Sequence, residues 1–311
     1  MFSWPYVFTL WNAPSCSLDN ENQAAVVKPK IKEPLMKIGI FTSTFNRPTL
    51  EDVLDVIKGY EIDTVQLNLD TPDGWDMPDE VGDETCDQIR TAIEARNLEI
   101  AALSGTYNMI HPDVKIRESG LHRLGVVASA SHRLGASILT MCTGSRSTVS
   151  QWRRHPDNDT ESAWADLLSS MEQAVRLAES QAVTLAFEPE VNNVVDTALK
   201  ARRLLDEIRS PHLKVCIDGA NLFHTGELPQ MKEILDQAFD LLGADIVTAH
   251  AKDLSRDGDA GHEAAGIGLL DYAHYIALLR DTGFTGALVL HSLDEDQVAD
   301  SLAFLRGFGL V

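Results

Sequence analysis

Four short apolar runs in the second half of the chain each end on a side chain that can bind a metal or move a proton, and helix-like segments separate them. They are Thr-Leu-Ala-Phe-Glu188, Lys-Val-Cys-Ile-Asp218, Ile-Val-Thr-Ala-His250 and Ala-Leu-Val-Leu-His291. Side chains alternate between the two faces of a strand, so Glu188 shares a side with Ala186, Asp218 with Cys216, His250 with Thr248 and His291 with Val289. Phe187, Ile217 and Leu290 then face the other way. If consecutive parallel strands close into a barrel, the four polar ends meet at its carboxyl-terminal mouth, where such barrels build active sites. Two carboxylates and two imidazoles converging there suit a divalent metal. Any one of them alone is more commonly a helix cap or a solvated loop residue, so the weight lies in the succession.

The same alternation extends back to Met36. Candidate strands are Lys37–Phe41, Thr64–Leu69, Leu98–Leu103, Ser137–Cys142, Val183–Glu188, Lys214–Asp218, Asp245–His250 and Ala287–His291. Helical spacing of three and four separates apolar positions in Trp164–Ser180 and Asp196–Ile208. Strands alternating with helices imply a parallel sheet, and eight such units predict a closed (β/α)8 TIM barrel over residues 36–311 as one domain. An open doubly wound sheet would want a glycine-rich phosphate turn after the first strand, and Thr42-Ser43-Thr44-Phe45-Asn46 is not one. Residues 1–35 carry Phe2, Trp4, Tyr6, Phe8 and Trp11 ahead of a polar stretch. They are expected to be an extension, poorly ordered or preceding the true start at Met36.

Composition narrows the function. With 26 basic and 47 acidic residues the 311-residue chain has a formal net charge of −21. That balance repels a polyphosphate backbone and argues against a nucleic-acid partner. No apolar stretch approaches the roughly 20 residues that span a bilayer. Cys16, Cys86, Cys142 and Cys216 are scattered, which is the usage expected in a reducing cytoplasm, and Cys216 is read as core packing.

Several motifs carry a family resemblance. Phe187-Glu188-Pro189, Ile217-Asp218-Gly219-Ala220-Asn221, His250-Ala251-Lys252-Asp253 and Gly266-Ile267-Gly268-Leu269-Leu270-Asp271 resemble successive signatures of the xylose-isomerase-like barrels, the sugar phosphate isomerase/epimerase superfamily. Gly105-Thr106-Tyr107-Asn108, His111-Pro112-Asp113 and Leu134-Gly135-Ala136 agree with it. The resemblance implies one divalent metal held by Glu188, Asp218 and His250. Where its members carry a second glutamate, this chain has His291. A neutral imidazole in place of a carboxylate moves the expected preference from magnesium towards manganese, zinc, cobalt or iron.

The expected activity is isomerisation or epimerisation of a small polyhydroxylated carbonyl compound, a sugar or sugar phosphate, by proton abstraction beside a metal-bound carbonyl. Glu188 is the expected base, with Lys252 and His111 as further catalytic candidates. Asn68, Arg146, Asn221 and Lys252 are the candidates for substrate contact. The alternative for Lys252 is an interior ion pair to Asp218 or Asp253. The direction of Glu190 beyond Pro189 is open, and His224, His262 and Trp152 are expected in loops around the pocket. An inosose-type dehydratase and a barrel that binds sugar without catalysis are the alternatives, and homo-oligomer formation is left open.

Overall fold

The computed structural model describes residues 36–69 and 77–311. The expected extension 1–35 lies outside the described residues. Strand β1 (Lys37–Phe41) is followed by helix α1 (Leu50–Gly59), β2 (Thr64–Leu67), α2 (Asp83–Ala95), β3 (Glu99–Ser104), α3 (Val114–Leu134), β4 (Ile138–Cys142) and α4 (Glu161–Gln181). Then come β5 (Thr184–Glu188), α5 (Ala198–Ile208), β6 (Leu213–Asp218), α6 (Met231–Leu242), β7 (Ile246–Asp253), the two-residue β8 (Glu263–Ala264), α7 (Tyr272–Asp281), β9 (Ala287–Leu290) and α8 (Val298–Arg306). Apart from β8, each strand pairs in parallel with its neighbours, and β9 closes onto β1 while β6 joins β7. The fold is a TIM barrel.

Burial follows the alternation in the sequence. Outward residues such as Ile40, Val65, Leu103, Leu139, Phe187, Ile217 and Leu290 form the apolar layer under the helices. The inward set is polar: Gln66, Ser104, Thr140, Glu188, Asp218, Thr248, His250 and Lys252 are all buried. A separate small apolar cluster of Phe41, Ala287 and Val289 fills part of the barrel interior.

Local sequence explains where helices start and stop. Thr49, Asp113, Thr160, Thr197 and Asp271 each accept a backbone N–H from the first turn of α1, α3, α4, α5 and α7, the side-chain cap such residues favour. Helix α3 stops at Gly135, whose φ of 84° lies in the left-handed region that glycine tolerates.

Two strands differ from expectation by more than one residue at an end. Strand β2 ends at Leu67 rather than Leu69, with an irregular register against β3 between Val65 and Gln66. Strand β7 runs on to Asp253 because Lys252 and Asp253 pair antiparallel with Ala264 and Glu263. The Asp253 carboxylate then accepts N–H groups from Leu254, Gly266, Gly268 and Leu270. A Cβ at Gly268 would sit 2.3 Å from Asp253 Oδ1, so this loop closes only on a glycine there.

Candidate active site

At the carboxyl-terminal mouth lies a cavity of about 730 Å³, open to solvent, whose wall draws on the ends of most barrel strands. Glu188 at the end of β5 forms its floor together with His250 and Lys252 of β7. The Glu188 contacts converge on Oε1, which accepts from Asn221 Nδ2 at 2.6 Å and lies 3.3 Å from His250 Nδ1 and 3.7 Å from Lys252 Nζ. Asp218, fully buried at the end of β6, lies behind this floor with Oδ2 3.2 Å from Lys252 Nζ. Oδ2 is thus ion-paired to the ammonium, while Oδ1 accepts from Ala220 N at 2.9 Å. Tyr275 donates to the carbonyls of Ile217 and His250, both at 3.1 Å, and so ties the two strand ends together.

His291, one residue beyond β9, opens onto the same cavity. Its ring stacks on Phe41 with centroids 4.1 Å apart, and its Nδ1 is buried without a hydrogen-bond partner. Burial, reinforced by the Lys252 and His250 charges, holds its pKa well below the ordinary histidine value, so the ring is neutral.

The electrostatics centre on Lys252. Burial would lower its pKa, but Asp218 and Glu188 outweigh that and keep the ammonium charged. Burial would raise the Glu188 carboxyl; Lys252, then His250, reverse this and hold it below the usual carboxylate range. Glu190, by contrast, is pushed up to about 8 by burial, with the Glu188 charge adding to the shift against Lys252. Its two oxygens accept from Asn192 N and Asn193 Nδ2, so the residue beyond Pro189 faces the cavity through a tightly bonded loop.

The remaining sequence candidates divide sharply. Asn68 lines the cavity and accepts from Ser104 Oγ at 3.2 Å. Trp152 and His262 also lie on the wall. Asn221, expected at the substrate, has its amide taken instead: Nδ2 donates to Glu188 and Oδ1 accepts from Gly261 N at 2.8 Å. It positions Glu188. Arg146 and His111 have their partners outside the cavity. The Arg146 guanidinium donates to Ile110 O and to Asp166 Oδ2 at 2.6 Å, a structural tie beneath the loops, and it is absent from the cavity wall. His111 accepts Asp113 N at 3.0 Å at the start of α3 and is likewise not on that wall. His224 lies 3.8 Å from Asp196.

Two residues stand out that the sequence did not single out for a role. Gln66 on β2 lies with Oε1 3.1 Å from His250 Nε2. Cys216 Sγ lies 3.5 Å from the same nitrogen, and Glu188, Cys216 and His250 offer metal-ligating atoms within 4.8 Å of one another. Burial, with the Glu188 and Asp218 charges, drives the Cys216 thiol well above its ordinary pKa, which disfavours the thiolate a metal requires. The inward parity of Gln66 and Cys216 with Asn68 and Asp218 was the available signal.

The chain belongs to the family of xylose isomerase-like TIM barrels, whose model matches residues 54–308. Among solved structures it is similar to the apo form of 3-keto-D-glucoside 4-epimerase YcjR from E. coli, at 19% identity and TM-score 0.67, over 88% of this chain and 99% of that one. It is also similar to a D-tagatose 3-epimerase-like protein (13%, TM-score 0.68, 88% and 97%). A third is the probable 3-DHS dehydratase AsbF from Bacillus anthracis (14%, TM-score 0.65, 88% and 99%). At these identities the likeness is one of fold. No curated protein matches the chain.

Proposed function

We propose that the chain is a metal-dependent isomerase or epimerase of a sugar or sugar phosphate, in which Glu188 removes a proton from the carbon beside a carbonyl. The observation that carries this reading is the buried Glu188 carboxylate at the cavity floor, oriented by Asn221 and flanked by the His250 imidazole and the Lys252 ammonium. The residues present fit a divalent cation. Glu188 Oε1 and His250 Nδ1 face each other at 3.3 Å, and His291 Nδ1, a lone-pair donor on a neutral ring, is buried without a hydrogen-bond partner. Glu188, Asp218, His250 and His291 would hold the ion. When bound, it would polarise the substrate carbonyl and acidify the neighbouring C–H.

Because three neighbours converge on Oε1, we assign proton abstraction to Glu188 Oε2. The cationic surroundings keep this carboxylate ionised, the form a base needs, at the expense of proton affinity. As negative charge develops on the substrate, the Lys252 ammonium, already fixed on the cavity wall beside Glu188, would offset it. Asn68, Glu190, Trp152 and His262 are placed to contact the hydroxyls and outer face of the substrate.

The reading is tested by metal analysis of protein purified without chelator, followed by incubation with ketoses and inososes in deuterated water. Stoichiometric metal and deuterium entering one carbon of an isomerised product are expected. A metal-free protein that catalyses no exchange would overturn it, and a dehydrated product would transfer the chemistry to the lyase alternative.

A further inference from the structure

The proposed reaction fixes the carbonyl end of the substrate at the cavity floor and leaves its other end to the wall, where the charges are one-sided. Lys252 is the one lysine or arginine on that wall among the described residues. Its ammonium is already shared, 3.2 Å from Asp218 Oδ2 and 3.7 Å from Glu188 Oε1. Arg146, which could have anchored an anion, spends its guanidinium on Ile110 O and Asp166. Arg47, beyond β1, is likewise held by both oxygens of Glu295. The sequence between β2 and α2, 68–82, contains no lysine or arginine.

Acidic groups lie where an anionic substrate would need a cation. Asp259 is on the wall with its side chain 48% exposed, and its Oδ1 accepts from Asn192 Nδ2 at 2.8 Å and from Ala260 N at 3.0 Å. Arg256 faces it from off the wall, Nη2 3.4 Å from Asp259 Oδ2 and Nη1 3.2 Å from His262 Nε2. The His262 Nδ1 donates to Ala260 O at 2.9 Å, so neither nitrogen of this ring offers a proton to a ligand. Glu190 adds a carboxyl whose oxygens accept within its own loop. Ser43, Asn68 and Thr106 on the same wall are neutral groups that can pair with hydroxyls.

We infer that the substrate is an uncharged sugar rather than a sugar phosphate or a sugar acid, and that Asp259 is a specificity-determining residue that turns anionic sugars away. The inference rests on the isomerase reading for the orientation of the sugar. A phosphate on the wall would give up hydration to meet the Asp259 carboxylate, with no uncommitted cation among the described wall residues to offset it. A hydroxyl both donates and accepts, so the carboxylate and the neutral groups beside it can pair with it. The positive charge at the floor serves the carbonyl end and leaves the wall as it is.

Calorimetric titration in saturating Mn2+ with a free ketohexose and with its 6-phosphate compares the two classes. Wild type should bind the free sugar at least about 10²-fold more tightly than the ester. Asp259→Lys should shrink that ratio by about tenfold through a gain for the ester, and Asp259→Asn, which keeps the shape, should shrink it less. Asp240→Lys makes the same change of charge at an exposed position of α6 and should keep the wild-type ratio, which separates a local effect from relief of the net charge. Ester bound as tightly as free sugar by wild type, or an unchanged ratio in Asp259→Lys, would overturn the inference. Solvent-deuterium exchange on the same pair distinguishes it from the reading beneath it. Exchange into the ester alone overturns the inference and keeps the isomerase, whereas preferential binding of the free sugar with no exchange keeps the inference and defeats the isomerase.

Discussion

The two halves of the barrel interior do different jobs. Strands β1 to β4 contribute neutral groups to the mouth, Phe41, Gln66, Ser104 and Thr140, linked by hydrogen bonds among amides and hydroxyls. The half from β5 to β9 contributes the ionisable groups Glu188, Asp218, His250 and Lys252, with His291 just beyond it. Neutral hydrogen bonds cost little to bury once satisfied, whereas buried charges persist only where they compensate one another. The neutral half therefore orients, and the charged half holds what chemistry the site can do. Lys252 couples the charges, since its ammonium lies between two carboxylates.

This contrast can be broken by substitution. Lys252→Met, measured with chelator present, leaves Glu188 and Asp218 buried without their cation and should destabilise the fold by about 3–5 kcal/mol in urea denaturation. A loss below 1 kcal/mol would show that the carboxylates are compensated by something else. On the neutral side, Thr140→Val removes one acceptor from Gln66 and should cost only about 1 kcal/mol, Ser104 remaining within reach. A cost equal to that of Lys252→Met would erase the distinction between the halves. His291→Glu, with the ion present to offset the added carboxylate, should shift metal preference towards magnesium and manganese, read by competition titration. The smallest effect is expected from deleting residues 1–35. The described domain ties its own ends together, Ile38 N donating to Val311 O and Val311 N to Met36 O, so the melting temperature should hold. A fall of many degrees would make the extension part of the fold.

The barrel was legible because outward residues of every strand are apolar and the interruptions carry caps and glycines. Strand ends at Glu188 and Asp218 coincide with the ends of β5 and β6, since these residues are where inward parity meets the cavity. The fate of loop residues was not legible. Arg146 and Asp166 meet across 20 positions of sequence, and nothing local in Thr-Gly-Ser-Arg announces that pairing. His111 likewise serves a turn whose direction depends on where α3 packs. Asn221 was singled out as a hydrogen-bonding residue, but its partner proved to be Glu188, 33 positions away. Gln66 lay in a short strand, where one polar residue gives too weak a periodicity to identify its partner, and His250 is 184 positions distant.

Proton transfer at Glu188 is the claim on which the rest depends. Its most direct test is solvent-deuterium incorporation into a substrate ketose by metal-loaded wild type and Glu188→Gln, with metal content measured on both. The amide can still occupy the site but cannot take a proton, so exchange should fall by about 10²- to 10⁴-fold while substantial metal binding persists. Exchange at the wild-type rate in Glu188→Gln would contradict the account and move the base to another group at the cavity, with Lys252 the first to examine.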